Sequence, residues 1–381
     1  MIIQDPWIRA QETQAVCSAL TDDGFQALFV GGCVRNALLG VAVSDIDIAT
    51  DATPDEVIRS TEQAELKAIP TGYDHGTITV VSNGLEHEIT TFRSDVETDG
   101  RHAKVQFSKS VDEDAARRDF TMNALYARPN GQVLDPLSGI QDLQARRVRF
   151  IGDAQARIRE DYLRSLRFFR FTAWYGDPEL GIDATGLAAV AANLDGIEHL
   201  SRERVGGEMK KLLSANDPAP AIGAMRSSGV LNLVLPGADD KALALLVHFE
   251  QELGVDPNPI RRLSVLADAS NADRLRLSKA DAKTWTMLRD ELGAMKTAGH
   301  LGYLHGTKRA RDVLLLRAAV FETPIDTQEI LDSNNGENAQ FPIKASDLSD
   351  VEGRALGVKL KELEQRWIAS GFELTRDELL S

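Results

Sequence analysis

The chain has 381 residues, 43% of them hydrophobic, a length that allows two or more cores at roughly 100 to 200 residues per domain. Its 43 basic and 58 acidic side chains give a formal net charge of -15, which argues against a general polyanion binder because phosphate binding needs a positive surface. Cys17 and Cys33 are the whole cysteine complement, too few for a disulfide framework or a zinc site, and are expected as reduced thiols.

The first residues, MIIQDPWIRAQET, lack a basic segment followed by an apolar one. No later apolar run approaches the roughly 18 residues of a membrane span, so a cytoplasmic setting without membrane contact is expected. Residues 27–32, ALFVGG, predict a short buried strand ended by a glycine pair. CVRNALLG then predicts a helix with Val34, Ala37 and Leu38 on one side, closed by Gly40. Strict alternation in SDIDIAT puts Asp45 and Asp47 on one face of a strand and Ile46 and Ile48 on the other. Thr53 before Pro54, with Asp55 and Glu56 behind, starts another helix.

HGTITVVSNG and LEHEITTFR are β-branched runs joined through Asn83-Gly84, a strong hairpin signal. Residues 94–106, SDVETDGRHAKVQ, are polar without periodicity and predict a mobile loop, whereas DEDAARRDFTMNALYARPNG predicts a return to helix. From about residue 155 strand signals nearly vanish. The expected class is α+β: a head over 1–150 with a small mixed, mostly antiparallel sheet, an all-helical neck and body over 151–237, and a helical tail over 238–381.

Charge is unevenly spread. Between Arg146 and Arg170, Arg146, Arg147, Arg149, Arg157, Arg159, Arg164, Arg167 and Arg170 face only Asp153, Glu160 and Asp161. Within this basic segment EDYLRSLRFFR predicts a helix whose Asp161, Arg164 and Arg167 form one polar track, since rows at i, i+3 and i+4 share a face. Its Leu163, Leu166, Phe168, Phe169 and Phe171 supply apolar area. Such a track is either a self-paired solvated surface or a surface that reads a ligand.

Two carboxylates at i and i+2 on a strand can share divalent cations, and Mg²⁺ takes one or two carboxylates plus waters and substrate phosphates. Asp45 and Asp47 alone also fit a solvated strand face. The preceding Gly31-Gly32 lets backbone approach a ligand and exposes amides where phosphate is favoured, and Arg35 can add a charge. Together they place a phosphate cradle next to a carboxylate pair.

GGCVRNALLG followed by DID on a strand resembles the signature of the DNA polymerase β superfamily of nucleotidyltransferases. FVGGCVRNALLG…SDIDIATDATPDEV is similar, more narrowly, to the class II tRNA nucleotidyltransferase and bacterial poly(A) polymerase family. The likeness continues in order through DEDAARRDFTMNALY, VLDPLSGIQDLQARRVRFIG, EDYLRSLRFFRF, LSRERVGGEMKKLL and RSSGVLNLVLPG, over roughly residues 25 to 237. The family usually has aspartate where this chain has Asn36.

The resemblance implies a nucleotidyltransferase head in which Asp45 and Asp47 bind Mg²⁺ and are catalytic, with Glu88 as candidate third carboxylate. It implies that Gly32, Arg35 and Arg118 contact the nucleotide, as do Asp161, Arg164, Arg167 and Arg170. Cytosine and adenine both offer an amino donor beside a ring-nitrogen acceptor. An aspartate only accepts and an arginine only donates, so Asp161 with Arg164 would suit C and A and mispair with U and G.

The implied reaction is attack by an RNA 3′-hydroxyl on the α-phosphorus of CTP or ATP with release of pyrophosphate, at the tRNA 3′ end. Poly(A) tailing, a subtype adding only CC or only A, and a non-catalytic RNA-binding protein are the alternatives. TGYDHGTITVV resembles the CCA-adding members, and the intact Asp45 and Asp47 count against a non-catalytic protein. The loop residues Asp95, Asp99, Arg101 and Lys104 would favour full CCA addition if that loop helps the switch from C to A. None of the seven histidines forms a His-Asp pair, so no phosphohydrolase activity is expected. Arg202, Arg204, Lys210 and Lys211 in the body and Lys308, Arg309 and Arg311 in the tail are candidate tRNA contacts.

Overall fold

A computed structural model describes residues 1–94, 106–348 and 351–381. The loop residues Asp95, Asp99, Arg101 and Lys104 lie outside the described residues. The chain divides into two compact units, Met1–His199 and Leu200–Ser381, and the division falls inside the segment expected as neck and body.

The first unit opens with α1 (Pro6–Arg9) and α2 (Gln11–Thr21), followed by β1 (Leu28–Val30), α3 (Gly32–Leu38), β2 (Ile46–Thr50) and α4 (Pro54–Gln63). Then come β3 (Lys67–Gly72), β4 (Thr77–Ser82), β5 (Leu85–Thr91), β6 (Arg93–Ser94) and β7 (Gln106–Phe107). After α5 (Val111–Ala116), β8 (Tyr126–Ala127) and β9 (Val133–Leu134) the unit is helical: α6 (Gly139–Gln144), α7 (Ala154–Glu160), α8 (Leu163–Tyr175) and α9 (Ala184–Ala191). The main sheet has the order β3-β4-β5-β2-β1-β8-β9, and only β2 and β5 run parallel. Strands β6 and β7 pair separately. The fold class expected from the sequence is the one observed.

The local signals explain most of these elements. Leu28, Phe29 and Val30 are all buried, as a central strand covered on both faces requires. Asn83 and Gly84, both at positive φ, turn β4 into β5. At the start of α4, Thr53 and Glu56 form a reciprocal capping box behind Pro54. Helices α2 and α4 pack against β4 and β5, where Ile78, Val80 and Ile89 are fully buried.

Two expectations are corrected. The helix expected over DEDAARRDFTMNALYARPNG covers only Val111–Ala116, followed by a 3-10 turn at Thr121–Asn123 and strand β8. Phe120, Met122, Ala124, Leu125 and Tyr126 are all buried, and the edge of β1 takes Tyr126 and Ala127 as ladder partners. Tertiary pairing there overrides local helix preference. The helix expected through EDYLRSLRFFR breaks at Asp161, whose backbone is extended at φ -153, ψ 103. Its carboxylate accepts from the Leu163 amide at 3.1 Å, the local bond with which aspartate competes against helix. Asp161 is therefore not on the helical track but ahead of it.

The second unit is helical among its described residues: α10 (Arg202–Leu213), α11 (Ala219–Ser227), α12 (Val230–Val234), α13 (Leu243–Glu252), α14 (Pro259–Leu266), α15 (Lys279–Ala294), α16 (Ala298–Phe321), α17 (Thr327–Asn338), α18 (Gly353–Ala369) and α19 (Arg376–Leu380). Four helices meet at a buried charge cluster. Arg261 and Arg262 on α14 share Glu250 of α13, with Nη2 to carboxylate distances of 2.7 and 2.6 Å. Arg261 also reaches Asp312 of α16 at 2.7 Å, and Arg262 donates to the Leu213 carbonyl at the end of α10. All four charged side chains are at most 2% exposed. No helix of the described residues is long and apolar enough to cross a membrane.

Candidate active site

Asp45 stands just ahead of β2 and is exposed, while Asp47 is half-buried between the buried Ile46 and Ile48, as the alternation predicted. The parallel register of β2 and β5 sets Asp47 directly beside Glu88, and the antiparallel step to β4 sets Thr79 beside Glu88. Burial pushes the Asp47 carboxyl up to about 6, with Glu88 adding to the rise, Arg118 opposing it, Asp45 adding and Arg35 opposing. A divalent cation would supply the positive charge this carboxylate group lacks, and its oxygen donors are the kind Mg²⁺ accepts. The buried Cys33 thiol beneath Asp47, pushed up to about 11 by burial, is no thiolate ligand. Among the described residues no group of three or more His, Cys, Asp or Glu stands in a metal-holding arrangement, so the fit rests on Asp45 and Asp47, with Glu88 alongside.

The raised Asp47 carboxyl has a measurable consequence. In the metal-free protein the folded state holds this proton more tightly than the unfolded chain, so stability falls as pH rises from about 4 to about 6 and stays reduced above. Asp47→Asn should raise metal-free stability at pH 7.5 by on the order of 2 kcal/mol, a gain that vanishes below about pH 4. Thermal unfolding across that range in a chelator checks it; a gain unchanged at low pH would count against the charge effect.

The arginines converge from separate elements. Arg35, on α3, is 6% exposed. It donates to Asn36 Oδ1 at 3.0 Å, to Asn123 Oδ1 at 2.7 Å and to the Tyr175 hydroxyl at 2.8 Å, and lies 4.0 Å over the Tyr175 ring. Asn123 donates in turn to Asp119 Oδ1 at 3.1 Å, and Asp119 Oδ2 accepts from Arg167 Nε at 2.7 Å. This chain of bonds joins α3 to the middle of α8 at Arg167 and to its C-terminal end at Tyr175. Burial works against the Asp119 carboxylate, but Arg167 together with the bonds from Asn123 and the Phe120 amide holds the group below the usual range.

Arg118 donates to Asp114 Oδ2 at 2.9 Å and to the Tyr126 hydroxyl at 3.0 Å. Gly31, at φ +69, is where the strand turns into α3, and a Cβ there would stand 3.5 Å from Arg118 Nη1 and 3.7 Å from Asn123 Oδ1. At Gly32 a Cβ would be 3.8 Å from Arg35 Nη2. Arg164 is fixed by three bonds, to the carbonyls of Arg157 and Arg117, each at 2.9 Å, and to Glu160 Oε2. Arg170 lies 4.8 Å over the Phe171 ring and its charge acts on Arg35.

The structure thus brings Gly32, Arg35, Arg118, Asp45, Asp47 and Glu88 into one electrostatic neighbourhood, and ties Arg167 to it through Asp119. Asp161 enters only through its place at the head of α8, and its side chain is bonded to the Leu163 amide. Sequence reasoning missed Asp114, Asp119, Asn123, Tyr126 and Tyr175. Asp119 and Asn123 sat inside the RRDFTMN stretch and could have been weighed as partners for Arg35 and Arg167. Tyr175, 140 residues from Arg35, had no local signal. Of the basic residues expected at RNA, Arg202 is ion-paired with Asp273 and Lys210 with Asp281, Arg309 bonds Thr284, and Lys308 is exposed.

Comparison with known proteins bears on this arrangement. Residues 27–149 match the family described as Poly A polymerase head domain, and residues 180–241 match the one described as Probable RNA and SrmB- binding site of polymerase A. The chain is 32% identical over 414 residues to CCA tRNA nucleotidyltransferase 1, mitochondrial, of Homo sapiens, covering 100% of this chain and 92% of that protein. It is 34% identical over 359 residues to the CCA-adding enzyme of Geobacillus thermodenitrificans (strain NG80-2), covering 91% and 86%. Among solved structures, the Bacillus stearothermophilus CCA-adding enzyme in complex with CTP superposes with a TM-score of 0.74 at 26% identity, covering 96% of this chain and 94% of that one. Matched along its own whole length to a relative 32% identical, the chain belongs to the class II tRNA nucleotidyltransferase and poly(A) polymerase family and is a nucleotidyltransferase.

Proposed function

We propose that the protein completes or repairs the 3′-terminal CCA of tRNA from CTP and ATP, in the cytoplasm, with Mg²⁺ as its metal. The observation that carries this reading is the carboxylate pair Asp45 and Asp47 set against Arg35 and Arg118, with Arg167 tied to Arg35 through Asp119 and Asn123. The names of the relatives, CCA-adding enzymes among them, support the substrate.

In this reading the RNA 3′-hydroxyl attacks the α-phosphorus in line, the bond to the bridging oxygen breaks, and pyrophosphate leaves. When bound at Asp45 and Asp47, divalent metal stabilises charge on the attacking and leaving oxygens. Arg35 and Arg118 hold the triphosphate and oppose the negative charge that builds on it. No side-chain nucleophile is required. Glu88 keeps the neighbourhood of Asp47 negative, which favours cation binding there.

Asp161 accepts the amino hydrogen of C or A, and Arg164 donates to the adjacent ring nitrogen. The bonds from Arg164 to the Arg117 and Arg157 carbonyls fix the plane of its guanidinium before a base arrives. Uracil or guanine would present a carbonyl and a ring N–H to the wrong partners, at about 1 to 3 kcal/mol for each buried group left unpaired. Arg167 and Arg170 continue the positive edge toward the phosphates. In the second unit the exposed Arg204, Lys211 and Lys308, with Arg202, Lys210, Arg309 and Arg311, contribute to tRNA docking.

The test is incubation with Mg²⁺, CTP, ATP and tRNA transcripts ending before CCA, before CA or before A, with the products sequenced. Addition of the missing residues and no more is expected. Failure to add any C would sink the reading, and long A tails would install poly(A) polymerase in its place. Arg164→Ala should raise UTP and GTP incorporation relative to CTP by at least about tenfold, one unpaired group's worth of discrimination. An unchanged ratio of kcat/KM values would reject base reading by Arg164.

A further inference from the structure

The arginines of this site differ in what neutralises them. Arg118 is paired with Asp114 at 2.9 Å, Arg164 with Glu160, and Arg167 with Asp119. Arg35 is the most deeply placed cation of the catalytic neighbourhood at 6% exposure, yet its hydrogen-bond partners are Asn36, Asn123 and Tyr175, none of them charged. Among the described residues no carboxylate forms an ion pair with it. Burial pulls the Arg35 guanidinium below its ordinary range, partly offset by Tyr175 and Asp119, with Arg170 pulling it further down. A buried guanidinium without a carboxylate partner is costly to keep, and the cost falls when an anion arrives.

Asn36 is the decisive member of this cage. Its Oδ1 alone accepts from both Nε, at 3.3 Å, and Nη2, at 3.0 Å, and its Nδ2 donates to the Ala42 carbonyl at 3.3 Å. A neutral oxygen thus sits against the Nε–Nη2 edge of the guanidinium, where a carboxylate oxygen would add a negative charge. Asn123 cannot substitute in this role, because its amide is needed as donor to Asp119.

We propose that Asn36 is a positioning residue that fixes the Arg35 guanidinium while withholding a counter-ion, so that the triphosphate of the incoming nucleotide becomes that counter-ion. The inference rests on the reading of Arg35 as a phosphate contact. It makes Asn36 a determinant of nucleotide affinity, through charge and not through shape.

The experiment compares Asn36→Asp, which keeps an oxygen at Arg35 and adds the charge while losing the bond to the Ala42 carbonyl, with Asn36→Ala, which loses that bond as well as the two to Arg35 and adds no charge. Inorganic tripolyphosphate is titrated into the full-length protein and its affinity read from the rise in melting temperature. Asn36→Asp should bind it at least about tenfold more weakly than wild type, as expected when a guanidinium already holds a carboxylate, and Asn36→Ala no more than about threefold more weakly. With CTP and a tRNA acceptor, Asn36→Asp should raise KM by a similar factor while kcat falls by less. Equal binding by wild type and Asn36→Asp would overturn the proposal, as would an Asn36→Ala defect as large as that of Asn36→Asp, which would mean that the amide acts by geometry. Tyr175→Phe, which removes one neutral bond and keeps the ring under Arg35, should leave tripolyphosphate affinity within about threefold of wild type; a larger loss would assign the affinity to the hydroxyl and reject the charge argument. Tripolyphosphate binding without nucleotide incorporation by the wild type would defeat the proposed function alone, whereas incorporation with unaltered binding by Asn36→Asp would defeat this inference alone.

Discussion

Asp47→Ala is expected to abolish nucleotide incorporation, by at least about a thousandfold, while tRNA still binds. Metal-assisted charge stabilisation contributes several kcal/mol to such a displacement, and about 4 kcal/mol is a thousandfold in rate. Asp47 is the half-buried member of the pair, set between two buried isoleucines on a strand whose register fixes it beside Glu88. It has little freedom to be replaced by a neighbour. Asp45, exposed and ahead of the strand, should also be essential but more tolerant of glutamate. Single-turnover incorporation of labelled CTP, with a filter-binding measurement of tRNA affinity alongside, checks both expectations. Residual activity above about one per cent in Asp47→Ala would remove this carboxylate from the chemistry.

Glu250→Ala should produce the largest loss of stability of any single substitution considered. Two guanidiniums depend on that one carboxylate, all at most 2% exposed, and of the described carboxylates ion-paired with them only Asp312, on Arg261, would remain. Removing Glu250 leaves a buried excess of positive charge, for which breaking a buried pair costs about 3 to 5 kcal/mol. Urea unfolding followed by the fluorescence of Trp285 and Trp367, both buried in the second unit, provides the measurement. A loss under about 1 kcal/mol would mean that water or repacking relieves the charges. Nucleotide binding by the first unit offers a readout of whether the damage stays local.

Much of the head was legible because its signals are short-range. The Asp45-to-Ile48 alternation, the Gly31-Gly32 turn and the Asn83-Gly84 hairpin each depend on residues within a few positions of one another, and each element formed as expected. The candidate site was legible as a set of residue types but not as a set of pairings. Arg35 meets Asn123 across 88 positions and Tyr175 across 140, and no periodicity reports such contacts. Tyr126 shows the same limit in the fold: its buried run lacks a polar face, and an available strand edge, not local propensity, decides its state. Asp161 failed for the opposite reason. Spacing alone placed it on a helical face, but its own carboxylate captured the Leu163 amide and broke the helix.

The continuous helix from Leu163 to Tyr175 carries Arg164 and Arg167 at one end and the tyrosine beneath Arg35 at the other. At the rise of an α-helix, Arg164 and Tyr175 are separated by roughly 16 Å, a span that neither residue can shorten alone. The helix is thus a ruler laid along the proposed nucleotide, with its base mark and its phosphate mark on one stiff rod. A pyrimidine and a purine of different size must be measured against the same rod. On the proposed function, any adjustment between C and A therefore falls on the extended backbone at Asp161, where the ruler ends and the bonds from the Arg164 amide to the Asp161 carbonyl and from the Leu163 amide to its carboxylate stand in the way.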